Sequence, residues 1–206
     1  MSIPHKPAAT EAQLHELIAN RWSPRSFDSA HDLNDSEVHA LLEAARWSPS
    51  WMNAQPWRFL VGLRGDSNFA GLVSSLKENN LLWAPKSSAI ILVAATAENV
   101  SMIEAFDAGL AVNALTTQAQ SMGLHTHQMG GFSKSKVKEV FSLPDNVEPI
   151  VLISVGKVTD PSHLPQALLE RELAPRVRKP LAELMIKGLS RKNTSPNGYF
   201  LQKLFL

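Results

Sequence analysis

Two segments near the start of the chain combine residue types that could bind a charged aromatic ligand, and the first is RWSPRSF at residues 21–27. In this segment Arg21 and Arg25 lie on either side of Ser23. Pro24 disfavours helical backbone at the residue before it, so the segment is expected to be a loop that ends a helix. Two guanidinium groups and a hydroxyl suit a phosphate group, which accepts bidentate charge-assisted hydrogen bonds. Taken alone, the pattern also fits solvated surface arginines.

The second segment, PSWMNAQPW at residues 49–57, is too rich in aromatic and amide side chains for a plain turn. It contains Trp51, Trp57, Asn53 and Gln55 between a predicted helix and a predicted strand. Amides match the donors and acceptors at the edge of a flat heteroaromatic ring, while apolar side chains cover its face. Beside a phosphate-binding loop, the segment indicates a nucleotide-like cofactor. FMN fits better than a dinucleotide, because no GxGxxG motif follows a strand and nothing indicates a second phosphate site.

Two histidines and a second pair of arginines are weaker candidates. His125 and His127 would lie on one face of a strand, as paired metal ligands can, but no Asp, Glu or third His stands close in sequence. They are therefore predicted to be strand residues and not metal ligands. Arg176 and Arg178 lie in the proline-bounded stretch APRVRKPL, where solvated surface charge is the simpler interpretation.

Composition excludes several classes of function. The 206 residues include no cysteine, which excludes disulfides, thiolate nucleophiles and iron–sulfur clusters, so redox chemistry would require a bound cofactor. A net charge of +1 disfavours general nucleic-acid binding. No apolar run approaches the roughly 20 residues that span a bilayer, and the N-terminal segment lacks an apolar signal region, so a cytoplasmic location without membrane partners is expected. With 44% hydrophobic residues, a single domain over residues 1–206 is expected.

The elements that would position these residues follow one another irregularly. Capping pairs and apolar spacing predict helices from Thr10 to about Arg21, from Asn34 to Ala45, over Phe69–Leu76, and from Ser101 to Gly123. Apolar runs predict strands that begin at Phe59, Ala89, Leu124 and Pro149. Helices outnumber the strands, which favours one α+β domain over a regular Rossmann alternation. The chain ends in YFLQKLFL, which fits either a frayed surface terminus or an arm that packs on a second subunit.

Four longer stretches together resemble the nitroreductase family of FMN-dependent flavoproteins. They are RWSPRSF, ARWSPSWMNAQPWRF, FDAGLAVNALTTQAQSMGLHTHQMGGF and VRKPLAEL, which follow in the family's order from about Arg21 to Leu184. The most specific element is the Gln-Pro-Trp that follows the Pro-Ser turn. The resemblance implies a nitroreductase-like α+β fold, with a small, mainly antiparallel central sheet surrounded by helices and an extended C-terminal arm. It also implies an obligate homodimer with two FMN sites built across the subunit interface.

The resemblance assigns the phosphate of FMN to two separate stretches of the chain. Arg21 and Ser23 match the family's phosphate-binding loop, with the backbone of Trp22 between them. Arg176 and Arg178 match the pair that completes the phosphate site.

The resemblance also assigns contacts to the flavin ring. Arg25 matches the basic residue near the pyrimidine side of the ring, and Asn80 matches an amide that meets the ring edge. The backbone beside the reactive N5 edge, where glycine permits close approach, is matched by Met129, Gly130 and Gly131. The turn that the second subunit contributes over the flavin is matched by Pro49, Ser50, Trp51 and Asn53, with Gln55 supporting that turn or touching the ring.

The function implied is an NAD(P)H-dependent FMN oxidoreductase that reduces a small organic acceptor, such as a nitroaromatic compound or a quinone, in a ping-pong cycle. Hydride would pass from the nicotinamide to flavin N5, and no side chain need act as a catalytic acid or base. Gly130 replaces an acidic residue that many members carry, and Trp83 replaces a lysine of some members, so the acceptor stays open. The alternatives are a flavin-dependent dehalogenase or oxidase of the same family, or a non-catalytic flavin-binding regulator or store.

Overall fold

The computed structural model of the protein describes residues 2–96 and 100–186. These residues form a four-stranded antiparallel sheet. The strands are β1 Trp57–Leu63, β2 Ala89–Thr96, β3 His125–Met129 and β4 Val147–Gly156, in the order β1-β2-β4-β3. All four overlap the runs that predict strands, and the predicted α+β fold with a small antiparallel sheet is confirmed. Because β3 is an edge strand, the turn that follows it lies at the margin of the sheet.

Several short helices and two longer ones precede, connect and follow these strands. In the part of the chain up to residue 174 they are α1 Glu16–Ala19, α2 Asp35–Arg46, α3 Ser67–Ser74, α4 Glu78–Leu81, α5 Met102–Ser121, α6 Lys134–Phe141 and α7 Gln166–Leu173. Single 3₁₀ turns occur at Trp51–Asn53, Ala84–Lys86 and Pro161–His163.

The helix caps explain why two predicted helix starts are correct and one is wrong. Asn34 caps α2 and Ser101 caps α5, and in each case a glutamate at the third helical position completes a capping box. The predicted start at Thr10 is wrong, because α1 begins at Glu16 with His15 as its cap. The Thr10 hydroxyl instead donates to the carbonyl oxygen of Ala12, a local bond that competes with helix formation.

Both faces of the sheet are buried, which accounts for the continuous apolar run of β2. Ile90 and Leu92 belong to a core cluster shared with α3 and α6, whereas Ile91 and Val93 belong to a second cluster shared with α2 and α5. Side chains alternate between faces along a strand, so a strand that is buried on both sides has no polar positions.

The chain divides into two compact units, residues 1–174 and residues 175–206. Among the described residues of the second unit there is one short helix, α8 Leu181–Leu184. The predicted C-terminal arm in YFLQKLFL lies outside the described residues. No helix in the described part of the chain combines the length and the apolar character that crossing a membrane would need.

Candidate functional site

The loop after α1 carries two predicted phosphate ligands and holds them side by side. Arg21 Nη1 donates a hydrogen bond to Ser23 Oγ at 3.2 Å, and both residues are half-buried. Trp22 between them is buried, and its ring meets the edge of His125 with the ring centroids 6.1 Å apart. Because the buried Trp22 lies between two half-buried residues, it anchors the loop while Arg21 and Ser23 stay accessible.

A buried carboxylate supports this loop from a distant part of the sequence. Glu172 on α7 is 0% exposed, and its Oε1 accepts the backbone N–H of Arg25 at 2.9 Å and that of Ser26 at 3.1 Å. Its Oε2 lies 3.7 Å from Nη1 of Arg25. The guanidinium that was predicted to lie near the pyrimidine side of the ring is therefore paired with a buried acidic group.

Strand β3 gives the loop a second support through His127. Its Nδ1 lies 2.8 Å from the carbonyl oxygen of Pro24, so Nδ1 carries the proton, and its ring centroid lies 4.5 Å from that of Trp83. Burial lowers the pKa of His127 to about 4; the charges of Arg25 and Arg21 also lower it, while the hydrogen bond to Pro24 opposes the shift. The imidazole is therefore neutral at pH 7.

His125 lies on the same face of β3 and is also perturbed. Burial, and then the charge of Arg21, lowers the pKa of its imidazole. Its buried Nδ1 has no hydrogen-bond partner among the described residues. Both histidines lie in the strand that leads into the 129–131 turn, as predicted. Over residues 2–96 and 100–186, no group of three or more His, Cys, Asp or Glu side chains is arranged to hold a metal ion.

The turn after β3 is held by α4 and the residue before it. Asn80 Nδ2 and the backbone N–H of Lys77 both donate to the carbonyl oxygen of Gly131, each at 3.0 Å. A Cβ atom at Gly131 would lie 2.9 Å from Asn80 Nδ2, so a larger residue there would require the Asn80 amide to shift. A Cβ atom at Gly130 would meet nothing within 4 Å. Met129 is buried beneath the turn, so its backbone is fixed while open space lies beside Gly130.

Two clefts meet next to this turn. The turn cleft has a volume of about 640 Å³ and is lined by residues 76–81 and 128–131. The arginine cleft has a volume of about 310 Å³ and is lined by Arg21, Ser23, Asn113, Thr116 and Gln128, with Gly109 and Val112. Gln128 lines both clefts. The fold thus brings the loop at Arg21 and the turn at Gly130 to a common region, although they are far apart in sequence.

The segment after α2 has a strained backbone. Met52, Asn53 and Gln55 have φ angles of 46°, 58° and 47°, in the left-handed region that costs on the order of 1 to 3 kcal/mol for a residue other than glycine. Ser50 Oγ accepts the backbone N–H of Gln55 at 3.0 Å. The Gln55 amide donates to the backbone oxygen and to the side-chain oxygen of Asn53, at 3.1 Å each. Within the chain the Gln55 amide therefore bonds to its own turn, and its contact with a flavin ring stays a prediction.

A buried aspartate fixes the start of this segment. Asp107 on α5 is buried, and its Oδ2 accepts the backbone N–H of Trp51 at 3.0 Å. An apolar cleft of about 720 Å³ lies beside it, lined by residues 49–51 and by Met102, Ile103, Phe106, Asp107 and Leu110. Within one chain, residues 49–51 therefore border a different cleft from the one at Gly130.

Glu172 and Asp107 were not predicted from the sequence, although both follow a recognisable pattern. Asp107 stands four and eight residues before Ala111 and Leu115, which are buried on the same stripe of α5, and Glu172 stands four residues after the buried Leu168. A carboxylate on an apolar stripe is rarely buried without partners. Such positions therefore indicate an anchoring role. The roles of Arg176 and Arg178, which belong to the second unit, stay predictions.

Comparisons with known proteins decide the family. The sequence model described as "Nitroreductase family" matches residues 18–81 and 68–157, more than half of the chain. The chain belongs to the nitroreductase family. This confirms the resemblance that the four sequence stretches carry.

One relative matches most of this chain in sequence, and two solved structures match most of it in fold. An oxygen-insensitive NADPH nitroreductase of Helicobacter pylori strain J99 is 28% identical over 180 residues, which cover 69% of this chain and 86% of the relative. A crystal structure of an oxidoreductase containing FMN is 34% identical, with a TM-score of 0.82, and covers 91% of this chain and 98% of its own. A structure of a putative nitroreductase from Exiguobacterium sibiricum 255-15 in complex with FMN is 25% identical, with a TM-score of 0.71. The match covers 87% of this chain and 99% of the other.

Proposed function

We propose that this protein is an FMN-dependent oxidoreductase that uses NAD(P)H to reduce a small organic acceptor. The observation that carries the proposal is the junction of the two clefts at Gln128, with Arg21 and Ser23 at one end and the 129–131 turn at the other. FMN likewise has an anionic phosphate at one end and a flat ring at the other. The expectation of FMN agrees with the two similar structures that contain it.

The residues present fit FMN by their chemistry. Arg21 and Ser23 offer a cation and a hydroxyl for the phosphate, the combination that binds phosphate through charge-assisted hydrogen bonds. Gly130 leaves open space beside the turn, where a flat ring could approach the backbone closely. Asn113, Thr116 and Gln128 provide neutral polar groups between the two ends.

In the proposed reaction the protein binds and orients, and no side chain is needed as a catalytic acid or base. FMN, when bound, supplies a ring that accepts a hydride from the nicotinamide and passes electrons to the acceptor. Arg21 and Ser23 would hold the phosphate, and the flavin ring would lie beside the backbone at Gly130. The neutral, half-buried His127 keeps the loop in place without adding charge to the site.

The test of the function is the spectrum and turnover of the purified protein. We expect a yellow protein with about one FMN per chain, and oxidation of NADH or NADPH when a nitroaromatic compound or a quinone is added. A colourless protein that does not take up added FMN would contradict the proposal. Bound flavin that neither nicotinamide reduces would instead support a non-catalytic flavin-binding regulator or store. The acceptor and a cytoplasmic location stay predictions.

We also propose that the protein acts as a homodimer in which residues 49–55 of one copy complete the flavin site of the other. This segment carries a strained backbone and exposes Trp51 by 60% and Met52 by 81%, next to Met102 and Phe106, which are 88% and 66% exposed. Large apolar groups exposed together on one face are typical of an interaction surface. Strain is also retained at sites where it serves a function.

Phe106→Glu is expected to shift the dimer towards monomer, because it places a charge on the apolar face. Sedimentation velocity over a range of protein concentrations measures the monomer fraction. The matched control is Val140→Glu on α6, which is 39% exposed and does not line the apolar cleft. A parent protein that sediments as a monomer while it retains FMN would contradict the shared site, and equal effects of both substitutions would place the interface elsewhere.

A further inference from the structure

Gln128 is not among the flavin-site residues that the sequence predicts. It follows His127 on β3, but it faces the opposite side of the strand, towards α5, where it contacts Thr116. It lines both the turn cleft and the arginine cleft. A ligand that occupied both clefts would therefore lie against Gln128.

The amide of Gln128 is held in one orientation by two buried threonines. Its Nε2 donates to Thr116 Oγ1 at 2.8 Å and lies 3.5 Å from Thr126 Oγ1. The two threonine hydroxyls are 3.3 Å apart and are hydrogen-bonded to each other. Because the donor end of the amide is engaged with the threonines, its remaining polar atom is Oε1. Over the described parts of the chain, no residue donates a hydrogen bond to Oε1.

A fixed amide oxygen accepts hydrogen bonds but cannot donate them. Between the ring and the phosphate of FMN lies a polyol chain, whose hydroxyl groups are donors. An acceptor held at the junction of the two clefts matches that chain. It does not match a phosphate, whose negative charge would repel the amide oxygen. Arg21 and Ser23 are the proposed ligands of the phosphate.

We propose that Gln128 is a cofactor-binding residue whose Oε1 accepts a hydrogen bond from the polyol side chain of the flavin. Thr116 is the positioning residue that holds the amide in the orientation this bond requires. The inference rests on the proposed function, because it takes the ligand of the two clefts to be FMN.

The test uses three ligands that add one part of FMN at a time. Lumiflavin has the ring alone, riboflavin adds the polyol, and FMN adds the phosphate. The dissociation constant of each is measured by flavin fluorescence with the full-length apoprotein. Gln128→Met should reduce the preference for riboflavin over lumiflavin about three- to tenfold, the size of one neutral hydrogen bond, and leave the preference for FMN over riboflavin unchanged.

Two further substitutions and one control make the result specific. Arg21→Ala should show the opposite pattern, with the preference for FMN over riboflavin reduced roughly tenfold to a hundredfold, as for a charged hydrogen bond. Thr116→Val should reduce the same preference as Gln128→Met, but less, and it keeps the proposal testable if Gln128→Met does not fold. The matched control is Gln166→Met, an exposed residue of α7 that bonds only Glu170 among the described residues.

The outcomes separate this inference from the proposed function. A parent protein that binds none of the three flavins would overturn both. A parent that binds FMN, with Gln128→Met weakening all three ligands equally, would show that Gln128 only shapes the fold and would overturn the inference alone. Unchanged ligand preferences in both Gln128→Met and Thr116→Val would do the same.

Discussion

Replacement of Glu172 by alanine is expected to lower the free energy of unfolding by about 3 to 5 kcal/mol, the usual cost of breaking a buried charged pair by removing one partner. The carboxylate accepts the backbone N–H groups of Arg25 and Ser26 and pairs with the Arg25 guanidinium. Alanine would leave both N–H groups without an acceptor and the cation without its partner. The Ser26 backbone lies in a fully buried residue, so water would not easily replace the lost acceptor.

Urea denaturation of the two variants Glu172→Ala and Glu170→Ala measures this cost. Glu170 lies on the same helix but is exposed and bonds only to Gln166 among the described residues, so its replacement should change the stability by no more than about 0.5 kcal/mol. Glu172→Gln should fall between the two, because the amide keeps one acceptor oxygen but loses the charge. If the two alanine variants were equally stable, the carboxylate would not anchor the loop.

Acidification is expected to destabilise the protein through His127. Burial lowers the pKa of His127 in the folded protein to about 4, against about 6.5 for an unfolded histidine. Between these two values the unfolded state binds more protons, so stability is fully present above about pH 6.5 and falls as the pH drops. The loss through this one residue is about 2 kcal/mol at pH 5 and about 3 kcal/mol at pH 4, where it approaches its limit.

The pH profile of a variant isolates this contribution from that of other groups. His127→Gln should lose less stability than the parent between pH 7 and pH 4, by about the amount given above, because glutamine does not titrate. The pKa of His125 is also lowered, so part of the slope should persist in the variant. His39→Gln, on the exposed face of α2, is the control for the replacement of a histidine outside the loop and strand β3. Parallel profiles for the parent and His127→Gln would contradict the burial of a neutral imidazole.

Local sequence determined most of the elements of this protein, because their signals act over a few residues. The capping boxes at Asn34 and Ser101 place the starts of α2 and α5, since the same side chains satisfy the free N–H groups wherever the helix packs. The apolar run of β2 requires a strand with two buried faces. Thr10 shows the limit of this reasoning, because its hydroxyl had a local alternative to capping.

The sequence also determined which residue types could serve a flavin. A loop with Arg21 and Ser23, an amide-rich turn and a Met-Gly-Gly turn could be read directly, and their order indicated the family. Their types depend only on the chemistry of the ligand. At Gly131 the structure adds only that a Cβ atom would require the Asn80 amide to shift.

Only the tertiary structure decided what holds these pieces together. Glu172 bonds to the loop at Arg25, which lies more than 140 residues earlier in the sequence. Gln128 of β3 bonds to Thr116 of the preceding helix, α5. Helical periodicity shows that Glu172 shares a stripe with Leu168, but it does not show which backbone N–H groups that stripe meets. Those partners are set by the packing of distant elements, and packing is a property of the whole chain that no short stretch of sequence contains.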